Sequence, residues 1–157
     1  MKNLELKTTI QEYSFEELTD EDRHLVELAI EATRRSYAPY STFRVGAALR
    51  LNNGVEMMGC NQENAAYPAG LCAERTALFA AGVEYPDVPV HSLAIAARTP
   101  SGELQEEPVS PCGVCRQVLI ETEKRFGQPV RILLYGQRCV YVIEGIKELM
   151  PLSFTEF

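Results

Sequence analysis

A short apolar run, Leu93 to Ala97, limits how this chain can fold more than any other feature of its sequence. Five apolar residues without polar alternation are typical of a strand that is buried on both faces of a sheet. Such a strand needs a packed layer above it and another below it. Because helical patterns occur on both sides of the run, we expect an α/β protein with helices covering both faces of one sheet.

The remaining segments supply the other elements. A helix is expected from Asp20, where apolar residues recur at helical spacing, and Pro39 stops it. Strand-like segments on either side of Asn52-Asn53-Gly54 predict a β-hairpin. The other predicted elements are helices near 71–81, from Cys112 onward and near 146–149, and strands near 130–135 and 139–143. The prediction is a three-layer α/β/α fold with a five-stranded mixed sheet.

Length and charge restrict the class of protein. The 157 residues suit one domain, which we place at 20–157 after an N-terminal extension at 1–19. The net charge of -7 disfavours nucleic-acid binding, which relies on clustered Lys and Arg. No apolar run approaches the roughly 20 residues that span a bilayer, and the first residues lack a signal-peptide core. We therefore expect a cytoplasmic protein that binds neither nucleic acid nor membrane.

Three of the five cysteines indicate a metal site. An odd number of cysteines without an export signal argues against a disulfide framework. Cys72 opens the motif C-A-E, and Cys112 and Cys115 belong to P-C-G-V-C. Three thiolates that meet in space would leave one position of a tetrahedral zinc open for water, as in catalytic zinc sites. Cys72 and Cys112 each lie at an expected helix start, where the helix dipole favours a thiolate.

A C-x-x-C pair by itself fits several kinds of site. It also occurs in redox centres and in structural zinc sites, and Cys72 with Cys60 or Cys139 could complete a closed site of four cysteines. The combination of C-x-E with P-C-x-x-C is more specific, because it matches the arrangement of zinc deaminases. Glu74 is then the expected acid/base. Zinc brings the pKa of water toward about 7, and a neighbouring carboxylate can take and pass on the proton.

Three thiolates around one zinc ion leave the site with a net negative charge. That charge reduces the ability of the metal to acidify water. Two helix N-termini would compensate in part, and an arginine that donates hydrogen bonds to the sulfurs would compensate further. Arg75 is the preferred candidate for this role and Arg116 is the second.

Four blocks of the sequence closely resemble the cytidine deaminases, in their compact, homotetrameric, all-cysteine zinc form. These blocks lie at residues 40–48, 59–65, 72–77 and 110–117. The resemblance implies hydrolytic deamination of the free nucleosides cytidine and 2′-deoxycytidine in pyrimidine salvage. It also implies one zinc ion per subunit, with Glu74 as the proton shuttle and with the ligands Cys72, Cys112 and Cys115.

The resemblance further implies contacts to the substrate within one subunit. Asn61 and Glu63 resemble the pair that holds the ribose 3′-hydroxyl, which suits an amide and a carboxylate because a hydroxyl both donates and accepts. Phe43 resembles the aromatic residue that packs on the pyrimidine. The backbone amide of Ala73 would contact the base, and the carbonyl of Ser110 would receive the leaving amine.

Contacts between subunits are implied as well. Phe154 resembles a C-terminal phenylalanine that reaches a base bound in a neighbouring subunit. Ala65 and Tyr67 resemble positions that line the sugar side of a neighbour's pocket. The expected assembly is therefore a homotetramer with pockets shared between subunits.

Other functions compete with this interpretation. A deaminase of nucleic acid or of a modified cytosine nucleoside is the nearest alternative. Nucleic-acid deaminases commonly use His as the first ligand and need a basic track, whereas this chain has Cys72 and is acidic. A non-catalytic zinc module is the alternative outside enzymology. Glu74 argues against it, because a structural zinc site has no use for an acid/base beside the metal.

Overall fold

A mixed β-sheet lies at the centre of the structure, a computed structural model that describes residues 1–156. Its strands are β1 (Gln11–Tyr13), β2 (Arg44–Leu51), β3 (Glu56–Cys60), β4 (Val90–Arg98), β5 (Arg131–Tyr135) and β6 (Val140–Glu144). Their order across the sheet is β1-β6-β5-β4-β2-β3. The pair β4 and β5 runs parallel, and the other neighbouring strands in the described part of the chain are antiparallel.

Helices cover both faces of this sheet. They are α1 (Asp20–Ala32), α2 (Ala73–Glu84) and α3 (Gly113–Phe126), and a single turn of 3-10 helix follows at Ile146–Glu148. On β4, Leu93 and Ile95 pack with the core under α2 and α3, whereas Ala94 and Ala96 pack with the core under α1. The apolar run is thus buried on both faces, as its composition predicts. None of the helices in residues 1–156 has the length and apolarity of a membrane span.

The prediction of five strands was wrong, because the sheet has six. The additional strand, β1, lies within the predicted N-terminal extension and forms the edge of the sheet, pairing antiparallel with β6 so that Tyr13 lies opposite Val140. Leu18, in the same extension, is buried in the core under α1. A strand of three residues is too short to show an alternating pattern in the sequence. Its pairing depends on the free edge of β6, so that only the folded chain reveals it.

The helix starts agree with the sequence. The side chain of Thr19 caps α1 by accepting a hydrogen bond of 3.1 Å from the backbone N–H of Asp22. Cys72 and Cys112 are the residues that directly precede α2 and α3. Both thiols therefore lie where the unpaired amides of a helix N-terminus are concentrated.

Gly59 of β3 allows α2 to approach the sheet closely. A β-carbon at this position would lie 2.5 Å from the carbonyl oxygen of Ala73 and 2.5 Å from the backbone nitrogen of Ala77. Both atoms belong to the backbone of α2, so they cannot move without displacing the helix. The position of the α2 N-terminus, and of Cys72 before it, therefore depends on a residue without a side chain.

Gly59→Ala should lower the free energy of unfolding by about 3 kcal/mol, because the added methyl group collides with the α2 backbone. Denaturant unfolding of the two proteins measures this difference. Gly82→Ala is the control: its nearest neighbouring atom is 3.9 Å away, and alanine in a helix should stabilise by about 0.5–1 kcal/mol. A Gly59→Ala protein as stable as the parent would contradict this account of the helix–sheet contact.

Candidate functional site

Three cysteine thiols meet where the N-terminal ends of α2 and α3 converge. The Sγ atoms of Cys72 and Cys112 are 3.7 Å apart, and those of Cys112 and Cys115 are 3.6 Å apart. All three sulfurs lie within 4.8 Å of one another. Sulfurs bound to one tetrahedral zinc at about 2.3 Å are about 3.8 Å apart. The spacing of the three thiols therefore fits a single zinc ion.

The cluster offers three protein ligands. In residues 1–156 it is the one group of three or more His, Cys, Asp or Glu side chains arranged to hold a metal ion. Cys60 lies outside it and accepts a hydrogen bond of 3.2 Å from Gln62 Nε2. Cys139, between β5 and β6, is buried and also lies outside it. The described residues thus do not form a closed site of four cysteines, and zinc held by three thiolates has a fourth position for solvent or substrate.

The charge of the cluster is concentrated on Cys72. A hydrogen bond from Cys115, together with Arg75, lowers the pKa of Cys72 to about 5. The same contact with Cys72 and the burial of its own thiol raise the pKa of Cys115. The contact with Arg75 and the position before α2 thus favour the thiolate form of Cys72.

The two candidate arginines have different partners. Arg75 Nη2 donates to the sulfur of Cys72 at 3.7 Å, and its buried Nε has no hydrogen-bond partner within residues 1–156. Arg116 instead donates from Nε to the carbonyl of Pro111 at 2.8 Å and from Nη1 to the carbonyl of Leu149 at 2.6 Å. Its guanidinium holds the backbone of the turn that carries Cys112. Arg75 is therefore the arginine that offsets the charge of the sulfurs.

Glu74 is buried in the first turn of α2, with 4% of its surface exposed. Burial, above all, raises the pKa of its carboxyl group. The side chain borders the same cavity as Cys72 and Cys112. The site thus places a carboxyl group whose pKa is raised by burial beside a cluster of thiols that can hold a metal ion.

The cavity has a volume of about 850 Å³, enough for a small organic ligand. Six of the residues that the sequence connected with substrate lie around it: Phe43, Asn61, Glu63, Ala65, Tyr67 and Ser110. Ala65 and Tyr67 border the cavity of their own chain, although the sequence pointed to the pocket of a neighbour. The walls also contain Tyr40, Ser41, Leu71 and Val109, which sequence reasoning missed. Tyr40 and Ser41 belong to the sequence block at residues 40–48, so the resemblance of that block could have identified them as cavity residues.

Two of the expected substrate residues do not border this cavity. Ala73 is fully buried at the start of α2. Its two neighbours in sequence, Cys72 and Glu74, do border the cavity. Phe154 is 62% exposed, and its carbonyl accepts a hydrogen bond of 2.9 Å from Gln117 Nε2. The C-terminal segment therefore follows the side of α3 and presents Phe154 away from the cavity of its own chain.

Comparison with known proteins agrees with this geometry. Residues 19–126 match the family model of the cytidine and deoxycytidylate deaminase zinc-binding region. A cytidine deaminase of Halalkalibacterium halodurans is 46% identical over 97 residues, which are 62% of this chain and 68% of that protein. A cytidine deaminase of Mycobacterium tuberculosis is 38% identical over 112 residues, covering 66% of this chain and 74% of that protein.

Solved structures are similar over nearly the whole fold. The crystal structure of cytidine deaminase from Burkholderia pseudomallei superposes with a TM-score of 0.73 and 38% identity, covering 87% of this chain and all of that one. That of cytidine deaminase from Mycobacterium tuberculosis superposes with a TM-score of 0.68 and 31% identity, covering 88% of this chain and 99% of that one.

Cys112→Ala should reduce bound zinc to well below one ion per chain, because two thiols hold the metal far more weakly than three. Elemental analysis of the purified variant measures the zinc content. Cys60→Ala is the matched control and should keep its zinc, since this thiol lies outside the cluster. Full zinc occupancy in Cys112→Ala would remove Cys112 from the ligand set.

Proposed function

Because the chain belongs to the cytidine and deoxycytidylate deaminase family, we propose that it hydrolyses cytidine and 2′-deoxycytidine to uridine and 2′-deoxyuridine. The activity is zinc-dependent, with one zinc ion held by the three thiols of the site. The observation that carries the proposal is the position of Glu74, a buried carboxyl group on the same cavity wall as two of those thiols. Zinc analysis together with an ultraviolet assay of cytidine turnover tests it.

The proposed chemistry passes both protons of the attacking water through one carboxyl group. Zinc, when bound, supplies a Lewis acid that lowers the pKa of a water molecule toward neutrality. The carboxylate of Glu74 takes a proton from the attacking water and delivers it to the ring nitrogen beside the reacting carbon. The same carboxylate then takes the second proton of that water, from the hydroxyl group now on the reacting carbon, and gives it to the amine as the C–N bond breaks and the C=O bond forms. A carboxyl group whose pKa is raised by burial suits this work, because it both accepts and releases a proton readily.

Arg75 supports the chemistry without contacting the base. Three thiolates and one zinc ion carry a net negative charge, which opposes the loss of a proton from water. The contact between the Arg75 guanidinium and Cys72 draws electron density from that sulfur and offsets part of the charge. The N-termini of α2 and α3 act in the same direction.

The residues around the cavity suit a nucleoside. Phe43 packs on the pyrimidine, and Asn61 and Glu63 bind the ribose 3′-hydroxyl. The backbone amide of Ala73 holds the base, and the carbonyl of Ser110 receives the leaving amine. Support comes from the cavity walls, where Phe43, the two polar side chains and Ser110 surround one space that reaches Cys72 and Glu74.

A homotetramer with shared pockets is the assembly that this proposal includes. Phe154 serves a base bound in a neighbouring subunit, and Ala65 and Tyr67 contribute to the sugar side of a neighbour's pocket. Phe154 and Tyr67 are 62% and 92% exposed, so both rings are accessible to a neighbouring subunit, which supports this role. A cytoplasmic location and a role in pyrimidine salvage complete the proposal.

Glu74→Gln should retain zinc and lower kcat by about 10²–10⁴-fold, because the amide binds like the acid but cannot accept and return a proton. Zinc content and initial rates with cytidine are measured on the same preparation. Glu84→Gln, an exposed position at the end of α2, is the control and should match the parent. A Glu74→Gln protein with parental kcat would exclude Glu74 from the proton transfers.

Phe154→Ala should raise the KM for cytidine by about 10-fold, since an aromatic contact with the bound base is lost. A mixing experiment tests whether that contact crosses subunits. Phe154→Ala chains and Glu74→Gln chains are refolded together into mixed oligomers. If pockets are shared, some of them combine an intact Glu74 from one chain with an intact Phe154 from its neighbour. Those mixtures should regain a low-KM component that neither variant has alone. An additive response, or a fully active monomer in light scattering, would contradict shared pockets.

A further inference from the structure

The backbone of Phe43 is held at both ends by polar side chains. Its N–H donates to Ser41 Oγ at 3.1 Å, and its carbonyl accepts from Asn61 Nδ2 at 2.9 Å. Asn61 Oδ1 also accepts from the N–H of Val45 at 2.8 Å, so that the amide spans the start of β2. The position of the aromatic ring therefore depends on side chains other than its own.

Ser41 connects this arrangement to Glu63. The Ser41 hydroxyl donates to Glu63 Oε1 while its oxygen accepts from the N–H of Phe43. Glu63 Oε2 accepts two more bonds, of 2.8 Å from the N–H of Tyr40 and 3.2 Å from the N–H of Ser41. These contacts, led by the Ser41 hydroxyl, lower the pKa of Glu63 and keep it an anionic acceptor. A continuous chain of hydrogen bonds thus runs from Glu63 through Ser41 to Phe43.

Thr42, between Ser41 and Phe43, has a strained backbone. Its φ angle is 56°, in the left-handed region, which costs a β-branched residue on the order of 1–2 kcal/mol. Two bonds hold it there: its N–H donates to the carbonyl of Ala38 at 3.0 Å, and its hydroxyl donates to the carbonyl of Ser41 at 2.6 Å. A loop under strain relaxes when its bonds are removed, and such a relaxation would displace Phe43.

We propose that Ser41 is a positioning residue that makes the placement of the Phe43 ring depend on recognition of the ribose 3′-hydroxyl. The inference rests on the proposed function, in which Glu63 and Asn61 bind that hydroxyl and Phe43 contacts the pyrimidine. A ribose 3′-hydroxyl bound to Asn61 and Glu63 would fix both of these side chains. Asn61 holds the carbonyl of Phe43 directly, and Glu63 holds its N–H through Ser41. The pocket then recognises the sugar and the base as one unit, and it favours a nucleoside with a 3′-hydroxyl over an analogue without it.

Ser41→Ala removes the hydroxyl group that connects Glu63 with Phe43 and changes neither of those two residues. With cytidine, KM should rise about 5- to 10-fold while kcat changes less than about twofold, the effect of losing one ordinary hydrogen bond. With 3′-deoxycytidine, which has no 3′-hydroxyl to sense, KM should change less than about twofold. Ser41→Thr keeps the hydroxyl and should restore parental values for both substrates.

Two further comparisons separate coupling from a general loosening of the loop. Ser101→Ala, which removes an exposed hydroxyl bonded to Thr99 in another loop, should leave both substrates unaffected. In a Glu63→Gln background, Ser41→Ala should add less than about twofold to the KM for cytidine, because the chain of bonds is already broken.

The possible results are distinct. Four results would each overturn the role of Ser41. They are an equal rise in KM for both substrates with Ser41→Ala, no rise for either substrate, an effect that adds to that of Glu63→Gln, and a Ser41→Thr protein that fails to restore the parental KM. A parent protein that does not turn over cytidine would overturn the proposed function instead. A parent protein that uses cytidine and 3′-deoxycytidine equally well would remove the 3′-hydroxyl from recognition, and the inference with it, while leaving deamination intact.

Discussion

The convergence of two helix N-termini on one point is the constraint on which the rest of the site depends. Cys72 and Cys112 end the segments that lead into α2 and α3, and Cys115 lies one turn into α3. Neither helix alone can hold zinc with an open position. The helices meet because each packs on the same face of the sheet, where Gly59 lets α2 approach β3 and Arg116 braces the turn before α3.

This convergence also determines the electrostatics of the site. Three thiolates in one place repel one another, and a bound zinc ion, with the helix dipoles and the contact from Arg75, would offset that repulsion. Glu74 faces the opposite condition, because burial and the neighbouring thiolate both oppose its charge. The helix ends and Arg75 favour a charged sulfur at Cys72, whereas burial favours a protonated Glu74, and this contrast suits proton transfer beside a metal.

The residues proposed to recognise the substrate lie in loops that adjoin the same sheet. Asn61 and Glu63 follow β3, and the strained loop before β2 carries Phe43, so that the antiparallel pairing of β2 with β3 brings the two segments together. The polar side chains hold this loop as well as border the cavity. The side chains proposed to bind the sugar thus also support the loop that carries Phe43, and this is the basis for proposing that sugar contacts affect the placement of the ring.

The sequence by itself determined the features that depend on neighbours along the chain. The apolar run of β4, the helix starts at Cys72 and Cys112, and the motif that contains Glu74 are all local patterns. Tertiary structure decided what depends on distant partners: the pairing of β1 with the free edge of β6, and the bonds of Arg116 to two backbone carbonyls instead of to sulfur. Local patterns follow from backbone periodicity and helix-end chemistry, whereas hydrogen-bond partners far apart in sequence are chosen only when the chain has packed.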